Sequence, residues 1–122
     1  MKKIMIVDDE ENLVELVKAI FEQEGYEVIP AYSGRECLEK LEKVKPDLIL
    51  MDMMMPGMTG KEATKKIREN PKTKDLKVVF LTVVRVSELG MEELRKLGVL
   101  DLITKPFDNE DLVKRVKKIL GD

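Results

Sequence analysis

Along this chain, short runs of consecutive apolar residues alternate five times with longer stretches in which apolar residues recur every three or four positions. The runs predict buried strands and the spaced stretches amphipathic helices. Their regular alternation predicts an α/β domain, a doubly wound five-stranded parallel sheet covered on both faces. Lys3–Val7 is the first expected strand. Leu13, Leu16, Val17, Ile20 and Phe21 set a helix over about residues 12–24, stopped at Gly25. Glu27–Ala31 is a second strand, and Pro30 within it has no N–H for a ladder, which assigns it to a sheet edge. Ser33 and Glu36 have capping-box spacing, opening a helix whose inner stripe is Cys37, Leu38, Leu41 and Val44.

Residues 48–51 form a third strand, apolar on both faces and therefore central. Thr59 and Glu62 repeat the capping box before a helix running through Ala63 and Ile67 to about Glu69. Residues 78–81 predict a fourth strand ending in Thr82, followed by a weaker helix carrying Met91, Leu94 and Leu97 before Gly98. The fifth strand, near residues 100–104, is short and contains Asp101, which marks a second edge. Asp108 caps a last helix with Leu112, Val113, Val116, Ile119 and Leu120 on one face. Two edges at strands two and five suggest the order 2-1-3-4-5, one of the two common doubly wound arrangements, whose ligands bind beyond the carboxyl ends of strands one and three, where the order reverses. No linker, repeat or low-complexity stretch interrupts the pattern, so residues 1–122 are expected to be one stand-alone domain.

That topology gives particular residues a shared address. Strand one runs into Asp8, Asp9, Glu10 and Glu11, strand three into Asp52, strand four into Thr82 and strand five into Lys105. Carboxylates brought together from neighbouring strands repel one another unless a cation lies between them, and hard oxygen donors favour Mg²⁺, with Mn²⁺ also plausible. Asp52 is then a candidate nucleophile able to form an acyl phosphate. Lys105 would pair with the incoming charge and the Thr82 hydroxyl would hydrogen-bond to it. Taken singly, each of these is an ordinary helix cap, solvated acid, strand-end hydroxyl or surface lysine. Their joint placement at four matching strand ends is what that ordinary explanation omits.

Composition narrows the chemistry. The 122 residues contain no histidine, one cysteine and no tryptophan. Ser-His-Asp and Cys-His nucleophile systems, His-ligated zinc and phosphorylation on an internal histidine are therefore excluded. Cys37 alone forms no internal disulfide, and its place on a helix's inner face predicts a small buried hydrophobe. A formal charge of −2 argues against direct nucleic-acid binding. No apolar run is long enough to span a bilayer and no signal peptide precedes the first strand, giving an expectation of a cytoplasmic protein with no membrane partner. A domain of this length buries roughly 65–70% of its unfolded surface, enough for a core without disulfides or a structural metal. The methionines at 51, 53, 54, 55 and 58 favour adaptable packing over a soft-metal site.

The segments VDDEE at residues 7–11, LILMDMMMPGMTG at 48–60, LT at 81–82 and TKPF at 104–107 resemble the receiver (CheY-like) domain of two-component response regulators. The resemblance covers essentially the whole chain in the right order. It implies a flavodoxin-like receiver fold, Asp52 as phospho-acceptor, and a metal site made by Asp8, Asp9, Asp52 and the backbone carbonyl of Met54. It further implies Thr82 and Lys105 as switch hydroxyl and phosphate-binding lysine, with a cis bond between Lys105 and Pro106. The implied function is a phosphorelay receiver, a phosphoprotein without small-molecule turnover. It would be served by a sensor histidine kinase or histidine phosphotransfer protein and act on a downstream protein, as a monomer or a phosphorylation-linked dimer.

Two positions depart from the family pattern. Val83 stands where a small residue usually follows the switch Thr, and Leu102 stands where an aromatic usually swings inward, so a Thr–aromatic switch would not operate in its usual form. Met54 and Val84, two residues beyond Asp52 and Thr82, flank the path of an attacking water in the family and predict a long-lived phosphoryl group. Three alternatives remain at this point. A metal-dependent phosphatase with an aspartyl-phosphate intermediate would place its nucleophile in a first-strand DxD pattern, whereas this strand is followed by Asp8-Asp9-Glu10. A flavin carrier would have its phosphate repelled by four acids. An unphosphorylated docking-type receiver is consistent with Val83 and Leu102.

Overall fold

The computed structural model describes residues 1–83 and 86–122; Val84, singled out above, lies outside the described residues. Five strands, β1 (Lys3–Val7), β2 (Glu27–Ala31), β3 (Leu48–Asp52), β4 (Val78–Thr82) and β5 (Val99–Thr104), form one parallel sheet in the order β2-β1-β3-β4-β5. Five helices alternate with them: α1 (Glu11–Gln23), α2 (Gly34–Leu41), α3 (Gly60–Glu69), α4 (Glu88–Lys96) and α5 (Asn109–Leu120). The fold expected from the apolar pattern is therefore the fold observed, with element bounds within a residue or two except at the end of α2, which stops three residues short of Val44.

Strand alternation divides the apolar side chains between two layers. Ile4, Ile6, Leu48, Leu50, Val79 and Leu81 face α1 and α5, meeting Val14, Val17, Phe21, Leu112 and Val116. Their neighbours Met5, Val7, Ile49, Met51, Val78 and Phe80 face the other way, against Cys37 and Leu41 of α2, Ala63 and Ile67 of α3, and Leu94 of α4. Every residue of β3 and β4 is buried, the signature of central strands covered on both sides. Pro30 sits in the edge strand β2 opposite Ile6 of β1, and an edge strand, with one side open, is where a sheet tolerates a residue without an N–H. At the other edge, β5 carries an extra residue between the pairs Val78–Val99 and Phe80–Leu102, a bulge that leaves Leu100 exposed.

Caps define where the helices begin. Ser33, Thr59, Ser87 and Asp108 each accept a backbone N–H three residues on. Thr59 and Glu62 form the full reciprocal capping box. At α2 the box is modified: Glu36 accepts from the backbone N–H of Tyr32 rather than from that of Ser33, tying the helix to the exit of β2. Val44, placed with the α2 stripe by its spacing, lies beyond the helix end yet still packs on the same core. Among the described residues no helix is long and apolar enough to cross a membrane.

Candidate functional site

Asp8 is the first residue past β1 and Asp52 the last of β3, and because Val7 pairs with Met51 the two carboxylates meet at the same level of the sheet. Asp8 is fully buried, Asp52 nearly so, and Asp9 is exposed. One carboxylate oxygen from each of the three lies within 4.8 Å of the other two. Asp8 is held by the N–H of Glu10, which donates to its Oδ1 at 2.9 Å, and Asp52 by the N–H of Met54, which donates to its Oδ1 at 3.2 Å. The backbone thus orients both acids from their own loops.

Lys105 supplies the opposing charge. Its Nζ lies 2.6 Å from Asp8 Oδ2 and 3.7 Å from Asp52 Oδ2, with the side chain largely buried. The Lys105 N–H donates to the carbonyl of Thr82 at 2.7 Å, and the bond from Lys105 to Pro106 is cis. Thr82 itself is fully buried at the end of β4. One ammonium between two buried carboxylates leaves an excess of negative charge. Burial, reinforced by the neighbouring Asp8, pushes the Asp52 carboxyl up to about 6 despite the Met54 N–H and Lys105.

A small hard cation is the group that such a donor set fits. Three carboxylate oxygens this close supply the hard donors that Mg²⁺ prefers, and the exposed side at Asp9 leaves room for retained waters.

Val83 is 71% exposed and Met54 57% exposed, so two apolar side chains, one next to Thr82 in the chain and one two residues past Asp52, stand in solvent. Leu102 is half-buried and packs with the core beneath α4. Gly60 is a site residue that apolar periodicity did not reveal. A Cβ there would lie 2.3 Å from the carbonyl of Asp52, and the Gly60 N–H donates to the Met53 carbonyl at 3.0 Å. Only glycine lets the start of α3 close on the end of β3; the sequence signal was a glycine immediately after the capping Thr59.

Residues 4–117 match the family model described as response regulator receiver domain. Over 119 residues, 98% of its length, the chain is 40% identical to the alkaline phosphatase synthesis transcriptional regulatory protein PhoP of Bacillus subtilis, of which it covers 48%. The chain therefore spans about half the length of that relative. Its structure is similar to that of the chemotaxis protein CheY4 of Vibrio cholerae, with a TM-score of 0.90 and 34% identity over 98% of both chains. It is also similar to the response regulator TrrA of Thermotoga maritima solved in complex with Mg²⁺-BeF, with a TM-score of 0.82 and 36% identity over 98% of this chain and 99% of that one.

Proposed function

The chain belongs to the response regulator receiver domain family, and from that membership we propose that it accepts a phosphoryl group on Asp52 from a phosphohistidine of a partner kinase or phosphotransfer protein. The observation that carries this reading is the Asp8, Asp9 and Asp52 cluster with the Lys105 ammonium set between its two buried members. Asp8, Asp9, Asp52 and the Met54 carbonyl would hold Mg²⁺, with Mn²⁺ as a substitute, as would suit a family whose Thermotoga maritima member was solved with Mg²⁺-BeF. Bound there, the cation neutralises charge on the transferring group.

The protein's own part is nucleophile, clamp and backbone support. An oxygen of the Asp52 carboxylate attacks phosphorus; the new O–P bond forms as the donor's N–P bond breaks, and the electron pair stays on the imidazole nitrogen, which takes up a proton. Lys105 turns from Asp8 to the phosphoryl oxygens, which carry about −1.5 to −2 charges, while Thr82 stands at the neighbouring strand end to hydrogen-bond to the same group. With no histidine of its own, the chain cannot serve as the phosphohistidine donor. Turnover of a small-molecule substrate is not part of this role, and the place of action is the cytoplasm.

Intact-mass measurement with acetyl phosphate and Mg²⁺ tests the assignment. A single phosphoryl adduct on the wild type, absent from Asp52→Ala, is the expected result. An adduct that survives Asp52→Ala moves the acceptor elsewhere, and many turnovers of a generic phosphatase substrate would make the protein an enzyme. Met54 adds a further expectation about lifetime. Its exposed apolar side chain cannot orient a hydrolytic water, so Met54→Asn should speed phosphoryl loss about tenfold. Following the decay of the adduct after removal of acetyl phosphate checks this.

A further inference from the structure

Helices in this fold run back from the carboxyl edge of the sheet, so the C-terminal ends of α2 and α3 lie at the edge opposite Asp52. Between those two ends is a groove of about 590 Å³, with Leu38 and Leu41 of α2 on one side and Lys66 of α3 on the other. A hollow of about 210 Å³ adjoins it, shares Leu41, Glu42 and Lys72 with it, and adds Lys43 and Lys45. Four lysines thus line the combined surface against one carboxylate, Glu42. Among the described residues none of the four has an ion-pair partner within 4 Å, so all four charges are available to a ligand.

The surrounding sequence sharpens the contrast. Residues 61–77 hold seven basic against three acidic side chains in a chain whose net charge is −2, whereas residues 8–27 hold eight acids and one lysine. A helix C-terminus attracts cations, which accounts for lysines near the ends of α2 and α3. It does not account for an apolar floor set between them.

We propose that this groove docks an acidic segment of a partner protein that bears an apolar side chain. The apolar residue seats over Leu38 and Leu41, and carboxylates flanking it meet Lys43, Lys45, Lys66 and Lys72. Free cations around an apolar floor are complementary to that pattern: the floor supplies burial and the lysines supply steering and register. A nucleic-acid backbone would use the lysines but gain nothing from the leucines, and the acidic α1 side would repel it. The surface lies away from Asp52, so occupancy does not require phosphorylation.

A random peptide library displayed and selected on the full chain identifies what the groove takes, with a random-sequence DNA duplex assayed alongside by fluorescence anisotropy. Selected peptides should carry Leu, Ile or Phe flanked by Asp or Glu and shift the backbone amide resonances of Leu38, Leu41 and Thr73. Their affinity should fall about tenfold in Lys66→Glu/Lys72→Glu, fall with added salt, and persist in Lys114→Glu and in Asp52→Ala. Persistence in Asp52→Ala separates this proposal from the phosphoryl-acceptor reading. Should the double charge reversal unfold, the Lys66→Gln/Lys72→Gln pair serves, its melting midpoint showing that it remains folded. The proposal is overturned by selected peptides without acidic enrichment, by resonance shifts elsewhere, by DNA binding through the same lysines, or by concentration-dependent shifts of these residues in the protein alone, which would make the occupant a second copy.

Discussion

A carboxyl raised to about 6 makes Asp52 a pH-dependent element of stability. Between about pH 4 and 6 the folded protein retains a proton that the unfolded chain has released. The contribution of this group is therefore present below pH 4 and is lost as the pH rises through 6. Without Mg²⁺, wild-type stability should decline over that window by on the order of 1–2 kcal/mol, discounted for solvent screening, while Asp52→Asn should be flatter. Urea unfolding at a series of pH values measures it. Lys105 poses the complementary case. Removing its ammonium leaves buried Asp8 and Asp52 with no cation between them, so Lys105→Met should lose on the order of 3 kcal/mol at pH 7 without Mg²⁺. Millimolar Mg²⁺ should restore more stability to the variant than it adds to the wild type, because the cation no longer competes with the lysine. Equal gains in parallel melts would refute that competition. These residues were legible in the sequence because parallel strands bring their carboxyl ends to one edge. The bond between Lys105 and Asp8, 97 positions apart, was not, since it depends on how β5 and its following loop seat against β1.

In α4 the described side chains include one that is buried, Leu94, and the helix's C-terminal end is held by a residue of another helix. Arg68 of α3 donates to the carbonyls of Leu97 at 2.6 Å and Gly98 at 3.3 Å beyond α4, and to those of Lys74 at 2.9 Å and Leu76 at 2.7 Å before β4. Burial lowers the pKa of its guanidinium, but four oriented carbonyls replace much of the lost water. Nearer its middle, Glu93 pairs with Lys61 of α3. Arg68→Ala should cost about 2–4 kcal/mol, and Arg68→Lys should recover little of it, since one ammonium cannot reproduce a planar fork. Hydrogen exchange of α4 amides, rising several-fold in the variant while β3 amides are unchanged, distinguishes loss of this clamp from general loosening. The thin apolar stripe around Met91 and Leu94 already indicated a weak helix. That α3 supplies the clamp was invisible, because arginine on a helix face has no periodic signature when its partners are backbone carbonyls.

For the whole molecule, the two chain ends meet. Lys2 donates to the Leu120 carbonyl and pairs with Asp122 at 2.7 Å, and the Tyr26 hydroxyl donates to Asp122 at 2.6 Å. Burial, then the hydrogen bond to Asp122 and the nearby negative charge, push the Tyr26 phenol up to about 12. A phenol raised above its usual 10 stabilises the fold below pH 10, and that stability is lost as pH rises through 12. Tyr26→Phe should therefore be less stable at neutral pH by about 1 kcal/mol yet lose less between pH 10 and 12, as followed by thermal melts. The exposed pair of Lys117 and Glu24 nearby should contribute little.

The number of elements, their kinds and most of their bounds followed from local information: apolar spacing, the capping residues Ser33, Thr59 and Asp108, and Pro30 and Asp101 marking edge strands that agree with the observed order without fixing it. Such features act within a few residues of chain, and five βα units leave few ways to cover a sheet on both faces. Asp8, Asp9, Asp52, Thr82 and Lys105 were legible for the same reason, as strand ends share an edge by topology alone. Only the tertiary structure decided how closely they approach, which acid holds the lysine, that Gly60 must lack a side chain, that Glu36 caps Tyr32, and that unpaired lysines gather round Leu38 and Leu41. Those facts are distances between segments far apart in the chain, set by the packing of the two layers, and no local pattern encodes them.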